Sequence, residues 1–359
     1  MSLSAEPALD ISQRPRAHQG ILRDETRALR RLLGYAHADE DAELETGTEL
    51  QNSSLKDALF LAIDIDTFQG YETAIPDQQF HIGASVLDTR SLRDLVCAWP
   101  AVDQPESAIK SYQYTIGTSR YCRRAARRFL FGASEPIGAS DLASRLQALA
   151  EGRDSVLVLH GADSDLKALR NLAVDLRPLC VIDTVKAAQF PLDLHYRPSL
   201  ENLLEELEIP FGALHSAGND AHFALRALLM LAVRDAERLS LDVSGSSLFR
   251  VLAAIAQAPR PATAGEIEAP LIEARRQYKF ARQLYVKVKR EAKKERKKAR
   301  RGAMAAASRD IPACDVRPAL NEDALSCEKS TWLAYQPVLA LVETLKLILC
   351  WIIALWSPR

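Results

Sequence analysis

The run LFLAIDIDT at residues 59–67 decides how the rest of the chain is read. Leu59 to Ile63 form an unbroken apolar run, the pattern of a short strand covered on both faces inside an α/β layer structure. Beyond it Asp64 and Asp66 stand two apart, so in an extended strand both carboxylates leave the same face. Adjacent carboxylates repel unless a proton or a cation lies between them. By itself the pair is also readable as a solvated strand end, with Asp66 capping the turn through Thr67.

Working outward, Gln79–Leu87 reads as a second strand between Pro76-Asp77 and Asp88. Residues 101–138 give no clear element pattern. They contain Arg120, Arg123, Arg124, Arg127 and Arg128, whose spacing puts pairs of guanidinium groups on one helical face. An alternation then sets in. Ser140–Ala150 is helical, and Ser155–Leu159 is a strand ending at His160. Asp165–Leu172 is helical, and Leu179–Ile182 is a strand ending at Asp183-Thr184. Pro198-Ser199 opens another helix with Ser199 as N-cap. Asp220–Val233 carries Ala224, Leu225, Leu228 and Ala232 at helical spacing. Strands alternating with helices imply an α/β fold with some parallel pairing. Three of these strands end in potential ligands, where sites gather in open sheets.

The composition is ordinary for a globular chain of 359 residues, 48% hydrophobic and 26% charged, which excludes collagen-like, mucin-like and wholly disordered classes. The net charge of −1 conceals an uneven distribution. Arg275–Arg301 holds 14 Lys/Arg against 2 Glu, so a strongly basic arm is joined to a mildly acidic body. Six scattered cysteines without a C-x-x-C pair argue against a zinc ribbon or a disulfide scaffold and suit a reducing compartment. Met1–Arg14 has no apolar core of a secretory signal.

Residues 1–56 read as a polar extension with an acidic cluster at Asp39–Asp41, no sustained apolar face and one helix around Asp24–Leu33. Residues 57–236 form the main domain. Residues 237–301 read as a helical segment, with helices at Leu248–Ala258 and Ala269–Arg301, ending in the basic arm. Residues 302–359 read as linker, at Ala303–Ala307 and Pro312–Pro318, followed by an apolar tail at Pro337–Trp356. Its uncharged run from Leu347 to Pro358 is shorter than the roughly 20 residues a membrane span needs, so packing of the tail is preferred to a membrane anchor.

Two further motifs give the apolar strand and its carboxylates a context. HGADSD at residues 160–165 follows a strand, and HSAGNDA at residues 215–221 enters a helix. The order D-x-D, H-x4-D, H-x4-D-A resembles the DEDDh exonucleases of the ribonuclease H-like superfamily, in particular divergent fungal exonuclease-like proteins, over about residues 57–236. Ile82-Gly83-Ala84 and Ile182-Asp183-Thr184 match supporting positions. The resemblance implies a mixed sheet flanked by helices and a metal-dependent 3′→5′ exonuclease acting on RNA or single-stranded DNA. It implies that Asp64, Asp66, Asp165 and Asp220 hold two Mg2+ or Mn2+ ions, with His215 as general base. Hard oxygen ligands suit these ions, and a paired site stabilises both the entering and the leaving oxygen of phosphodiester hydrolysis. Asp66 stands in the place of the family's usual Glu, one C–C bond shorter, and Gly161 stands where relatives commonly carry Asn.

Each residue alone has a plainer interpretation. Asp165 and Asp220 suit helix N-termini, His215 a loop, His160 a strand end and Asp163 a solvated turn. D-x-D also occurs in haloacid-dehalogenase-like phosphatases, though Thr67 here falls one place early and Phe68 fills the required slot, and in nucleotide-sugar glycosyltransferases. The basic arm is either a solvated helix or a phosphate-tracking surface, built on Lys287, Lys289, Arg290, Lys293 and Lys294 with Tyr278, Phe280 and Tyr285 stacking on bases. The Arg120–Arg128 cluster is the alternative hold on a nucleic-acid backbone. Lys293–Arg301 would serve as a nuclear-localisation signal, placing the protein in the cytoplasm, the nucleus or both. The other functional class is a catalytically weak or silent module that binds nucleic acid, or a protein partner through the basic arm.

Overall fold

The structure, a computed structural model, describes residues 20–35, 53–67, 79–150 and 152–307. Its centre is a six-stranded mixed sheet of β1 (Leu59–Thr67), β2 (Phe80–Asp88), β3 (Ile109–Ile116), β4 (Glu135–Pro136), β5 (Ser155–Leu159) and β6 (Cys180–Asp183), in the order β4-β3-β2-β1-β5-β6. β1, β2 and β3 form an antiparallel meander, while β5 and β6 run parallel to β1. The helices are α1 (Asp24–Leu33), α2 (Thr89–Ala98), α3 (Arg120–Arg128), α4 (Leu142–Ala150), α5 (Ala162–Asn171), α6 (Thr184–Ala187), α7 (Leu200–Glu206), α8 (Ala217–Arg238), α9 (Ser247–Gln257) and α10 (Ala264–Ala307). This is the mixed α/β architecture of a ribonuclease H-like fold.

The apolar run of β1 is explained by cover on both faces. Phe60 and Ala62 pack with Leu87, Val156 and Val158 against α8, whose Phe223, Leu225 and Leu228 are wholly buried. Leu61, Ile63 and Ile65 pack on the other face with Leu142 and Leu146 of α4 and Ala168 and Leu169 of α5. With side chains alternating, Asp64 and Asp66 fall on the Phe60 face, towards α8. Helix α8 is apolar on nearly every side because β1, β2, α1 and α9 surround it.

Three features depart from the sequence expectations. Residues 101–138, which gave no pattern, contain β3, α3 and β4. The helix at Asp24–Leu33 has a buried face after all, formed by Ala28, Leu29, Leu32 and Leu33. Its Arg30 reaches Asp235 of α8 through two hydrogen bonds of 2.8 and 2.9 Å, both side chains being buried. Removing one partner of such a pair costs about 3–5 kcal/mol, because the other charge stays buried. Finally Ala303–Ala307, expected as linker, continues α10 to its end. Alanines favour the helix there, and the expected break was drawn from composition alone.

The chain divides into two compact units, Met1–Thr263 and Ala264–Arg359. In the second unit α10 carries the basic run. Among the described residues no helix is long and apolar enough to cross a membrane. Met1–Arg14, Asp39–Asp41, Phe68, Pro312–Pro318 and Pro337–Trp356 lie outside the described residues.

Candidate active site

Four carboxylates and a histidine from three parts of the chain lie near one another at the end of β1, close enough to interact electrostatically in pairs. Asp64 is carried on the strand itself. Asp165 arrives on the first turn of α5 and accepts a 3.3 Å hydrogen bond from the Ile65 N–H. The connection from β5 into α5 is held by Asp183, whose carboxylate accepts from Gly161 N (2.9 Å), Ala162 N (3.3 Å) and Val185 N (3.0 Å). Gly161 has φ +79°, a left-handed turn that Gly and Asn both tolerate. This accounts for Gly in the slot where the resemblance led one to expect Asn.

Asp220 is delivered by the start of α8, which lies almost on the strand. A Cβ on Gly83 would stand 2.0 Å from the Ala217 carbonyl oxygen, so only glycine admits the helix at this height. The Ser216 side chain does not cap the helix. Two side chains from the sheet do so instead. Ala217 N donates to His81 Nδ1 at 3.2 Å, and Gly218 N donates to Gln113 Oε1 at 3.0 Å. Ser216 Oγ also donates to Gln113 Oε1, at 2.7 Å. Asn219 fastens the same turn to the chain after α3, accepting from Leu130 N (2.9 Å) and donating to Arg128 O (2.8 Å) and Ala213 O (2.9 Å).

His215 stands at the exposed rim just before α8 with φ +61°, near enough to Asp66 to act on it electrostatically. Its backbone N–H and that of Ser216 act on Asp220, partly offsetting the rise that burial causes. Asp220 Oδ1 is nevertheless buried without a hydrogen-bond partner among the described residues. Asp66 Oδ2 lies 3.4 Å from Nε2 of the fully buried His81, and Tyr121 also acts on Asp66, lowering its pKa.

These surroundings split the carboxylates electrostatically. Burial, and then the Asp66 charge, push Asp64 up to about 7. Burial and the Asp64 charge push Asp165 to about 9, and burial with Asp64 and Asp66 carries Asp220 well above the usual range. Burial would raise Asp66 as well, but His81, Tyr121 and His215 hold it below the ordinary carboxylate value. A group of carboxylates, Asp165 and Asp220 buried and Asp64 and Asp66 half-buried, with an unpartnered oxygen on Asp220 has the donor chemistry of a hard divalent ion. The residues fit that ion by type. They are not already gathered about one point, since among the described residues no three His, Cys, Asp or Glu side chains form a ready-made ligand group.

Tyr121 and Ala125 O, which accepts from Ser216 Oγ at 3.3 Å, make α3 one wall. Arg128 donates to Leu214 O. Arg120, Arg123, Arg124 and Arg127 are exposed, and none of the five arginines forms an ion pair among the described residues. Lys287, Lys289, Arg290, Lys293 and Lys294 are exposed on α10, in the second unit. There Phe280 is 68% exposed, whereas Tyr278 and Tyr285 are half-buried. His160 is structural: its Nδ1 meets Thr184 Oγ1 at 2.8 Å and burial lowers it to about 4. Asp163 is exposed, on α5 rather than in a loop.

His81, Gln113 and Tyr121 did not emerge from the sequence. The available signal was a histidine beside Gly83 in a strand otherwise apolar at that end, opposite Asp66 in the antiparallel register. Residues 59–231 match the family described as DNA polymerase III subunit epsilon-like, C-terminal domain (DEDDh_C). No curated protein matches the chain.

Proposed function

Residues 59–231 are a DEDDh exonuclease-like domain of the ribonuclease H-like superfamily, and from that premise we propose that the protein is a metal-dependent 3′→5′ exonuclease acting on RNA or another single strand. The observation that carries this reading is the arrangement of Asp64, Asp66, Asp165 and Asp220 with the buried, unpartnered Oδ1 of Asp220 among them. Asp64, with its neighbours on both α5 and α8, would hold magnesium or manganese, and the remaining carboxylates would complete the ligand set. When bound, the ions supply charge stabilisation for the entering and leaving oxygens. His215, exposed at the rim, would take a proton from an attacking water and release it to solvent. The unpaired arginines of α3, on the wall that provides Tyr121, would hold the phosphate backbone.

Replacing Asp64 or Asp220 by Asn should abolish magnesium- or manganese-dependent degradation of a labelled single strand while leaving its binding nearly intact. His215→Ala should retain metal binding and slow turnover by about 10²–10⁴-fold. Undiminished degradation by the Asp64→Asn protein would rule the mechanism out. A second reading, a silent module that binds nucleic acid, is favoured by one observation: among the described residues no three ligands are gathered in advance. That reading requires a parent protein inactive even in manganese, whose strand binding is unchanged by Asp64→Asn.

A further inference from the structure

We propose that His81 is the positioning residue of this site, its ring tying the Asp66 carboxylate to the first turn of α8, with Tyr121 as a second hold on Asp66. The inference rests on the function proposed above and concerns how the chain makes a working ligand from an aspartate where a longer side chain is expected.

Four observations carry it. Asp66 and His81 are directly opposed Cα partners in the β1–β2 ladder, so their side chains share the face turned to α8. The His81 ring is completely buried there, two residues from the glycine against which Ala217 presses. Its Nδ1 accepts from the Ala217 N–H, and a ring nitrogen that accepts carries no proton. The ring proton therefore resides on Nε2, a buried atom that makes no hydrogen bond among the described residues and lies 3.4 Å from Asp66 Oδ2. Ala217 is the first residue of α8, whose own N-cap side chain is turned away to Gln113, so His81 caps the Ala217 N–H while Gln113 caps Gly218.

One ring thus fixes the tautomer, the orientation of Asp66 and the entry of the helix that brings Asp220. With one carboxylate oxygen directed at His81, Asp66 has its other oxygen for a cation. Such outer partners of metal-ligating carboxylates change metal affinity by about 10–100-fold when removed.

The two ends of the ring can be separated by substitution in the full chain. In His81→Asn the side-chain oxygen overlies Nδ1, keeps the acceptor for Ala217 and loses the contact with Asp66. In His81→Gln the terminal amide overlies Nε2, keeps the donor for Asp66 and loses the cap. Mn2+ binding is measured without nucleic acid by titration calorimetry or electron paramagnetic resonance, and Tm is measured alongside. His81→Asn should weaken Mn2+ by about 10–100-fold with little loss of Tm, and His81→Gln should restore most of the affinity despite a lower Tm. A merely structural histidine gives the opposite ranking, with the Gln variant the worse binder, and that ranking would overturn the proposal. So would an Asn variant that binds Mn2+ like the parent. If neither variant folds, Tyr121→Phe decides, since it removes only a hydroxyl: weakened Mn2+ binding supports the positioning role and unchanged binding overturns it. A parent protein without Mn2+ binding that Asp64→Asn removes would sink the nuclease function and this inference together. Parent binding that Asp64→Asn removes, with the Asn and Tyr121→Phe variants unaffected, sinks this inference alone.

Discussion

At the scale of single residues, the buried carboxylates oppose stability at neutral pH. In the folded protein Asp64 holds its proton to about 7 and Asp165 to about 9, whereas an unfolded chain releases both near 4. The folded state therefore binds more protons, and stability falls as pH rises. Two histidines act in the other direction. Burial lowers His160 to about 4 and His222 well below its usual value, so they favour the fold increasingly up to about pH 6.5 and are flat above it. Cys180, pushed by burial up to about 11, adds a downward slope only nearer the ordinary thiol range of about 8.5. Between pH 7 and 8 the carboxylates are the main cause left among these groups. In EDTA, Tm should fall over that interval, and added magnesium or manganese should raise it more at pH 8 than at pH 6. Asp64→Asn should flatten the slope and raise the metal-free Tm, the usual exchange of function for stability; an unaltered slope in that variant would contradict the arrangement. The five candidate residues could be singled out in the sequence because residue type and spacing are visible there. His81, Gln113 and Tyr121 were not, because register and helix packing alone decide what they touch.

At the scale of elements, the site depends on how closely α8 approaches the sheet. Gly83 sets that distance, since any Cβ there meets backbone at 2.0 Å and backbone cannot rotate aside. Gly83→Ala should therefore displace the start of α8, carry Asp220 away from Asp64 and destabilise the fold by about 1–3 kcal/mol or more. Urea unfolding gives the first effect and loss of Mn2+ binding the second. An Ala variant with parental stability and metal binding would show that the helix start is free to move. Periodicity made β1, β5, β6 and α8 readable, since their burial is continuous or regular. It failed at β3, IKSYQYTI, where Gln113 and Thr115 are buried in a strand and break the alternation. Gln113 is buried because it caps α8, so the residue that hid the strand is one that builds the site. Likewise α1 looked polar because its buried Arg30 finds its counter-charge more than 200 residues away, at Asp235.

At the scale of the whole chain, the division of charge would, under the proposed function, offer two separate holds on nucleic acid. The arginines of α3 belong to the first unit and the lysine-rich run to α10 in the second. Each predicts a different experimental signature. Contacts that only collect the strand act through released counterions, each lost contact reducing the slope of log affinity against log salt by about 0.7 for single strands. Neutralising Lys287, Lys289, Arg290, Lys293 and Lys294 together to Gln should then flatten the slope by up to about 3.5, with kcat at saturation unchanged. Neutralising Arg120, Arg123, Arg124 and Arg127 should flatten it as well but also lower kcat, because these residues stand on the element that supplies Tyr121 and would align the scissile phosphate. Measuring binding across a salt series, and turnover at saturating strand, separates the two. An α10 variant with the parental slope would leave the arm a solvated helix and make α3 the main electrostatic contact. An α3 variant with the parental kcat would instead confine those arginines to capture.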